Sequence, residues 1–265
     1  MNESGITIRK CSGTDEFRRC VALQQRVWNF SDAELVPLRM FVVADKVGGQ
    51  VVGAFDGDEI VGFALSVPGH RNGHSYLHSH MAAVDERYRN AGVGRKLKLF
   101  QRDEALSRNI LLMEWTFDPL EIKNSFFNIR RLGAVARHYN INQYGVTTSS
   151  LHGGLPTDRL IAEWWLRSRR VEQILRGGAE PEFATILKVQ VPAEVSAWKA
   201  ESATREQAAA VQTRNRESFL RAFREELTVL GYERNEKGDG TFLLGNWDET
   251  WSYARSQNTP ELGNP

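Results

Sequence analysis

His78 and His80 stand one residue apart, and the run Arg89-Asn90-Ala91-Gly92-Val93-Gly94 follows nine residues later. Residues at i and i+2 of a regular strand share a face. A histidine whose pKa lies near neutrality can take a proton from an alkyl ammonium, directly or through water. The glycine-bearing run has a different chemistry. A turn that enters a helix aims several backbone N–H groups into one concavity, where the helix's partial positive charge collects, and this suits a pyrophosphate. Gly92 and Gly94 let the backbone come close to phosphate without a Cβ between them. Arg89, Arg95 and Lys96 add cations. The run is not a Walker A loop, because no Lys-Ser/Thr follows its second glycine, and it lacks the three-glycine Rossmann spacing. An ordinary strand-to-helix turn and a pair of structural histidines would use the same residue types, so the surrounding elements have to decide.

Those elements are legible as far as Gly133. Ile6 to Arg9 is a candidate first strand. Thr14 or Asp15 then caps a helix whose apolar face runs Phe17, Val21, Gln24, Trp28. Residues 29–40 read as a short helix or a loop. Gln50 to Phe55 and Glu59 to Val67 form a hairpin around Asp56-Gly57-Asp58, and Pro68 to Gly73 is a loop. Ser75 to Val84 is the next strand, with His78, His80 and Ala82 on one face and Ser79, Met81 and Ala83 on the other. A helix over 92–107 follows, then the apolar strand Ile110 to Phe117, then a short helix from Asn124 to Leu132 that ends at Gly133. Beyond it, the stretch 138–145 is polar and aromatic, Leu160 to Leu166 is a strand, and Gly177-Gly178 is a candidate boundary. Phe183 to Val191 is a strand. A long helix then runs to Leu230, with Val211, Phe219, Phe223, Leu227 and Leu230 on one face and Gly231 as its C-cap. Thr241 to Leu244 is a last strand, and the tail from Ser256 reads as mobile.

Composition narrows the classes. The 265 residues suit one large domain, or one with a smaller partner, and 41% hydrophobic content is ample for a core. A formal net charge of +1 gives no bulk reason to expect nucleic acid or an anionic membrane. No apolar stretch approaches the roughly 18 residues of a membrane span. The N-terminus has no basic region followed by an apolar run, so no signal peptide is expected. Two cysteines, Cys11 and Cys20, do not make a disulfide framework, and a cytoplasmic location is the simplest expectation.

The pattern Arg-x-x-Gly-x-Gly, entered from a strand that ends Ala-Val, resembles motif A of the GNAT superfamily of N-acetyltransferases. The element order is similar to that family over residues 5–168. The resemblance implies a mixed α/β fold, with a central, twisted, mostly antiparallel sheet flanked by helices. A strand-helix-strand extension over 178–250 and a flexible tail over 256–265 would follow this catalytic domain. The resemblance also implies acetyl-CoA, or another acyl-CoA such as succinyl-CoA, as co-substrate. Met81, Ala82, Ala83 and Val84 would then meet the pantetheine. Arg89, Asn90, Ala91, Gly92, Val93, Gly94, Arg95 and Lys96 would hold the pyrophosphate, and Asn124 resembles an asparagine of the family's next motif. His78 and His80 lie six and four residues before Val84. In arylalkylamine N-acetyltransferases both places are histidines too, which implies a catalytic base here. The family's tyrosine, which protonates the leaving thiolate, falls at Ile129. Tyr139 or Tyr144 could substitute, or water. The tail resembles that of a bacterial subgroup with a C-terminal extension.

Glu114 and Asp118 flank the apolar strand, and each is a candidate second base or ammonium anchor. Arg159 is a candidate partner for an acceptor carboxylate. The expected acceptor is a small amine or an amino acid, with a monomer or homodimer acting alone. Two other readings stay open. The fold could hold CoA without turnover. The four histidines at 70, 74, 78 and 80 could instead bind a metal for hydrolysis, although no metal is expected from a set with no cysteine nearby.

Overall fold

The computed structural model describes residues 5–29, 34–145 and 154–253. It begins with β1 (Ile6–Lys10), α1 (Gly13–Trp28) and α2 (Leu38–Lys46). A meander follows: β2 (Gln50–Asp56), β3 (Glu59–Arg71) and β4 (His74–Val84). Next come α3 (Val93–Ser107), β5 (Leu112–Phe117) and α4 (Ile122–Ser125), which runs on as a π-helical turn (Phe126–Arg131). β6 (Val135–Asn140), β7 (Arg159–Trp165), α5 (Arg169–Leu175) and β8 (Leu187–Val191) lead to α6 (Val195–Ala200) and α7 (Arg205–Arg224). β9 (Thr228–Arg234) and β10 (Gly240–Gly245) complete the described elements. Among the described residues, the strands make one sheet in the order β1-β2-β3-β4-β5-β7-β6-β9-β10-β8. β4 and β5 run parallel, and the other pairs are antiparallel. The expected mixed α/β architecture is therefore present.

Strand alternation separates the two faces. Val51 of β2 packs with Phe17 and Leu23 of α1, Phe41 of α2 and Phe63 and Leu65 of β3. Its neighbour Val52 packs the other way, with Val93 and Leu97 of α3. A larger cluster on the α3 side joins Phe117 and Trp164 to Phe219, Tyr232 and Phe242. Sheet and core thus run on past Gly177 and Gly178.

Several elements differ from their sequence reading. α1 buries Phe17, Cys20, Leu23 and Gln24, while Val21 and Trp28 are only partly covered. Gln24 is inside because it exchanges hydrogen bonds with the backbone of Val36 (3.1 and 3.0 Å). Its helix starts at Gly13, ahead of Thr14 and Asp15. α2 starts directly after Pro37, whose missing N–H is no loss there. The expected loop 68–73 is instead a continuation of β3 closed by Asn72 (φ 48) and Gly73 (φ 80), a two-residue hairpin whose left-handed residues match strand twist. The long helix expected to reach Leu230 stops at Arg224. Glu226 takes φ 59, and Thr228–Arg234 is a strand. Leu227 and Leu230 fit a helical period by spacing alone. Gly231 is no C-cap: a Cβ there would lie 2.9 Å from Phe183 and 3.0 Å from Leu243, so glycine admits their side chains. The first three residues of the polar and aromatic stretch, 138–140, belong to β6. The tail from Ser256 lies outside the described residues.

Phe242 is fully buried, edge-on to Phe219 (5.2 Å) and Tyr232 (4.6 Å). Phe242→Ala is expected to lower unfolding free energy by about 3–5 kcal/mol in urea titration. A loss below about 1 kcal/mol would contradict a tightly packed core there.

Candidate active site

The site is organised by an interrupted strand pair. β4 pairs with β5 only at Leu77↔Met113 and His78↔Glu114. On its other side β4 stays with β3 up to Gly62↔Val84. Past His78 the parallel strands therefore diverge, and among the described residues the backbone groups of Met81 to Val84 that face β5 have no strand partner. The register against β3 also shifts: Ser66 pairs with Ser79 but Leu65 with Met81, so His80 is an extra residue, a β-bulge. The bulge reverses the alternation. Before it, Ser79 bonds to Lys98 and Gln101 of α3. After it, Met81 and Ala83 pack with α1 and α2. The expected faces, with His78, His80 and Ala82 opposite Ser79, Met81 and Ala83, are thus corrected by one inserted residue. His78 pairs with Val67, which packs on the α1–α2 side. The two imidazole centroids are 6.3 Å apart. His80 is solvent-exposed, yet enough protein surrounds it that desolvation lowers its pKa below the ordinary imidazole value.

The glycine run follows directly from the open end of β4. Asn90 (φ 64) and Gly92 (φ 72) both take left-handed backbone, and Gly92 caps α3 without any side-chain hydrogen bond. The first intrahelical bond is Lys96 N to Gly92 O (3.0 Å), so the N–H groups of Val93, Gly94 and Arg95 have no helical acceptor. Val93 turns its side chain into the core, and Arg89, Asn90 and Gly92 are exposed. Arg89 reaches the Val84 carbonyl at 3.4 Å, and Arg95 the Leu175 carbonyl at 3.5 Å. Ala91 packs toward the α3 core. A Cβ on Gly94 would touch only Val84 Cγ2, at 3.9 Å. Asn124 is exposed at the start of the next helix, where it accepts from Asn128 (3.3 Å).

On the α1–α2 side a polar row crosses the sheet. Register sets His78 beside Glu114, and Glu114 beside Glu163 of β7. Both carboxylates are buried. Arg71, from the β3–β4 hairpin, holds Glu114 by two bonds of 2.8 Å. Donating hydrogen bonds to Glu114 raises the Arg71 pKa. Arg137 bonds Glu163, and His138 Nε2 stands 3.4 Å from it. Beyond this row lies a cavity of about 340 Å³, bounded by Arg71, Arg137, Glu163, Glu226, Trp247 and Tyr253. Tyr253 stacks on His74 (4.4 Å), which ties the covering segment to the first residue of β4.

Three candidates read from sequence are spent on the fold. Glu114 is an anchor for Arg71, and a carboxylate gripped by a guanidinium is a poor base. Asp118 accepts from Lys199 (2.9 Å) and from the backbone of Leu120 (2.8 Å). Burial depresses the Lys199 ammonium, but Asp118 and Glu121 outweigh it, and its pKa ends above the ordinary lysine value. Arg159 is buried, donates to the Asp158 carbonyl (2.8 Å) and stands over Tyr144 (5.5 Å). Ile129 is wholly buried. The Tyr139 phenol is buried against Asp158 (2.7 Å), and burial, with that carboxylate beside it, raises its pKa. Tyr144 is exposed, its hydroxyl 2.7 Å from Thr116 on β5. Sequence reasoning missed Arg71, Glu163, Trp247, Tyr253 and Lys98. The alignment of His78 with Glu114 on neighbouring strands could have drawn in the ion pairs; nothing local marks Trp247 or Tyr253. Among the described residues, no group of three or more His, Cys, Asp or Glu could hold a metal ion. No helix among them is long and apolar enough to cross a membrane.

The site is thus a gap between diverging parallel strands, with a donor-rich turn at its mouth. Residues 16–127 match the model of the acetyltransferase (GNAT) family. β6 to β10 lie beyond the matched segment. The ribosomal-protein-S18-alanine N-acetyltransferase of Escherichia coli superposes with a TM-score of 0.50 at 17% identity, over 62% of this chain and 95% of that one. A GNAT-family protein of Desulfovibrio desulfuricans gives 0.51 at 15% identity, over 61% and 99%. At these identities the likeness is one of fold. No curated protein matches the chain in sequence.

Arg71→Met removes the guanidinium that holds the buried Glu114 by two bonds, and is expected to cost about 3–5 kcal/mol of stability in denaturant unfolding. Adding Glu114→Gln should return much of that loss. A cost below about 1 kcal/mol for the single variant would show that the pair is well solvated.

Proposed function

We propose that the protein transfers an acetyl, or another short acyl, group from CoA to the amine of a small molecule or amino acid by direct attack in a ternary complex. The observation that carries this reading is the gap between β4 and β5 beside the first turn of α3. Unpaired strand groups of Met81 to Val84 suit the amides of pantetheine, since buried backbone donors and acceptors seek partners. The N–H groups of Val93 to Arg95, with Arg89 and Lys96, suit the pyrophosphate. Asn124 is a further contact of this kind. The same strand supplies the proton acceptors. Desolvation keeps the His80 ring neutral near pH 7, ready to accept a proton, and His78 is its neighbour. A donor N–H from the strand would polarise the thioester carbonyl.

The acceptor side fits a small molecule. The cavity of about 340 Å³ is within the range of small-ligand sites. Its aromatic wall, Trp247 and Tyr253, and the exposed carboxylate of Glu226 suit a cationic group. The distal part of an acceptor would sit there, with its reacting amine at His78 and His80.

Two measurements test this reading. Gly94 has room for a side chain, so Gly94→Leu should keep the melting temperature while weakening CoA binding at least about tenfold by calorimetry, a loss near 1.4 kcal/mol. Unchanged affinity would remove the turn from the cofactor site. For the histidines, activity requires the neutral ring, so kcat/KM should fall as pH drops through the lowered His80 value. Replacing His78 and His80 together by Ala should lower kcat by about 100-fold and abolish that acid limb. An unchanged profile would exclude both as bases. Heat of CoA binding without thiol release across an amine panel would mark a binding module instead.

A further inference from the structure

Lys98 is a buried lysine for which the fold and the proposed proton path to the acceptor have no use. It lies on α3, only 5% exposed, and among the described residues no carboxylate pairs with it. Its Nζ donates to Ser79 Oγ (2.6 Å) and stands 4.0 Å from the centre of the Trp115 ring. The placement is specific. The last paired residues of β4 and β5 are His78 and Glu114. Ser79 and Trp115 are the next residue on each strand, so Lys98 touches both strands where they part. Lys98 would therefore face the end of a pantetheine arm held along β4 from the glycine turn.

We propose that Lys98 is the acid that protonates the sulfur of CoA as the acyl group leaves it. This rests on the transferase reading above. The acceptor nitrogen attacks the thioester carbon; the C–N bond forms, the C–S bond breaks, and its electron pair goes to sulfur. Sulfur takes a proton from the Lys98 ammonium. The amine left behind regains a proton from solvent, into which the acceptor's own proton passes by way of His78 and His80, so protons balance over the cycle.

The surroundings suit the task. Burial lowers the Lys98 pKa to about 7. An acid of that strength gives its proton readily to an alkyl thiolate, whose thiol titrates at roughly 8.5. An ordinary lysine, near 10.4, would be a weaker acid than the thiol itself. The groups facing Nζ are uncharged: Ser79, Trp115 and, through Ser79, Gln101. The charged groups nearby are engaged elsewhere. Arg95 and Arg102 of α3 reach the carbonyls of Leu175 and Leu166. Glu114 lies with Arg71 on the opposite face, on the side of His78.

The test is Lys98→Met beside Tyr144→Phe, each assayed for thiol release from acetyl-CoA over a range of pH with the best amine of a panel. Lys98→Met should lower kcat by about 100-fold and remove the fall of kcat above neutral pH. Its CoA affinity should stay within about threefold, and its melting temperature should hold or rise, since an apolar side chain replaces a buried unpaired cation. Tyr144→Phe should keep the alkaline limb. The proposal falls if Lys98→Met keeps the wild-type kcat and pH profile, or if Tyr144→Phe alone removes the limb. It falls equally if Lys98→Met loses activity only through weaker CoA binding or a lower melting temperature, which would make Lys98 a packing residue. If the unaltered protein releases no thiol with any amine, the transferase reading itself is what fails.

Discussion

A strand that leaves its neighbour before its hydrogen bonds are used up is the constraint on which this molecule turns. β4 is pinned to β3 over its whole length but to β5 at only two positions. A sheet interior normally pairs every backbone group. Here one extra residue, His80, twists β4 away and leaves a slot in the middle of the sheet. The rest of the architecture supports that opening. α1 and α2 cover one face on both sides of the bulge, α3 covers the other, and the turn before α3 lies at the mouth of the slot.

The two sides of the slot are electrically unlike. On the α1–α2 side, buried carboxylates each hold an arginine: Glu114 with Arg71 and Glu163 with Arg137. Their orientations are fixed in pairs, so the floor beside His78 is rigid and nearly neutral. On the α3 side, a single lysine sits among Ser79, Gln101 and Trp115 with no counter-charge. One strand thus carries His78 on one face and contacts a cation through Ser79 on the other, by ordinary alternation. The inserted residue then puts Met81 on the side opposite Ser79.

Much of this was readable from residue types. The glycine turn, the apolar strand before Pro119, the β2–β3 hairpin and the strand carrying both histidines are set by local periodicity and turn chemistry, which sequence displays directly. What escaped was non-local. The bulge at His80 depends on the register of β4 against β3 and leaves no mark in the alternation of types. Leu227 and Leu230 fit a helix by spacing, yet Leu227 clusters with Phe117 and Trp164 and Leu230 with Leu112 and Val135, all far away in the chain, and these contacts select a strand. Asp118 looked free for an acceptor because Lys199 becomes its neighbour only when the sheet closes. Carboxylates and guanidiniums are the residues most easily misread in this way, since fold and function compete for the same ion pairs.

The sheet order also bears on how the chain is made. β6 is complete at Asn140, but its outer partner β9 is joined at Ala136↔Val229. At ribosomal rates of roughly 5–20 residues per second, about 90 further residues take on the order of 5–20 s to appear. Through that interval the nascent molecule carries an uncovered edge, the kind of edge that recruits other strands. The long α7 emerges within the same interval, before β9, and packs against β6. α7 ends at Arg224, just before β9 begins at Thr228, so the edge waits for its neighbour through nearly the whole of that interval.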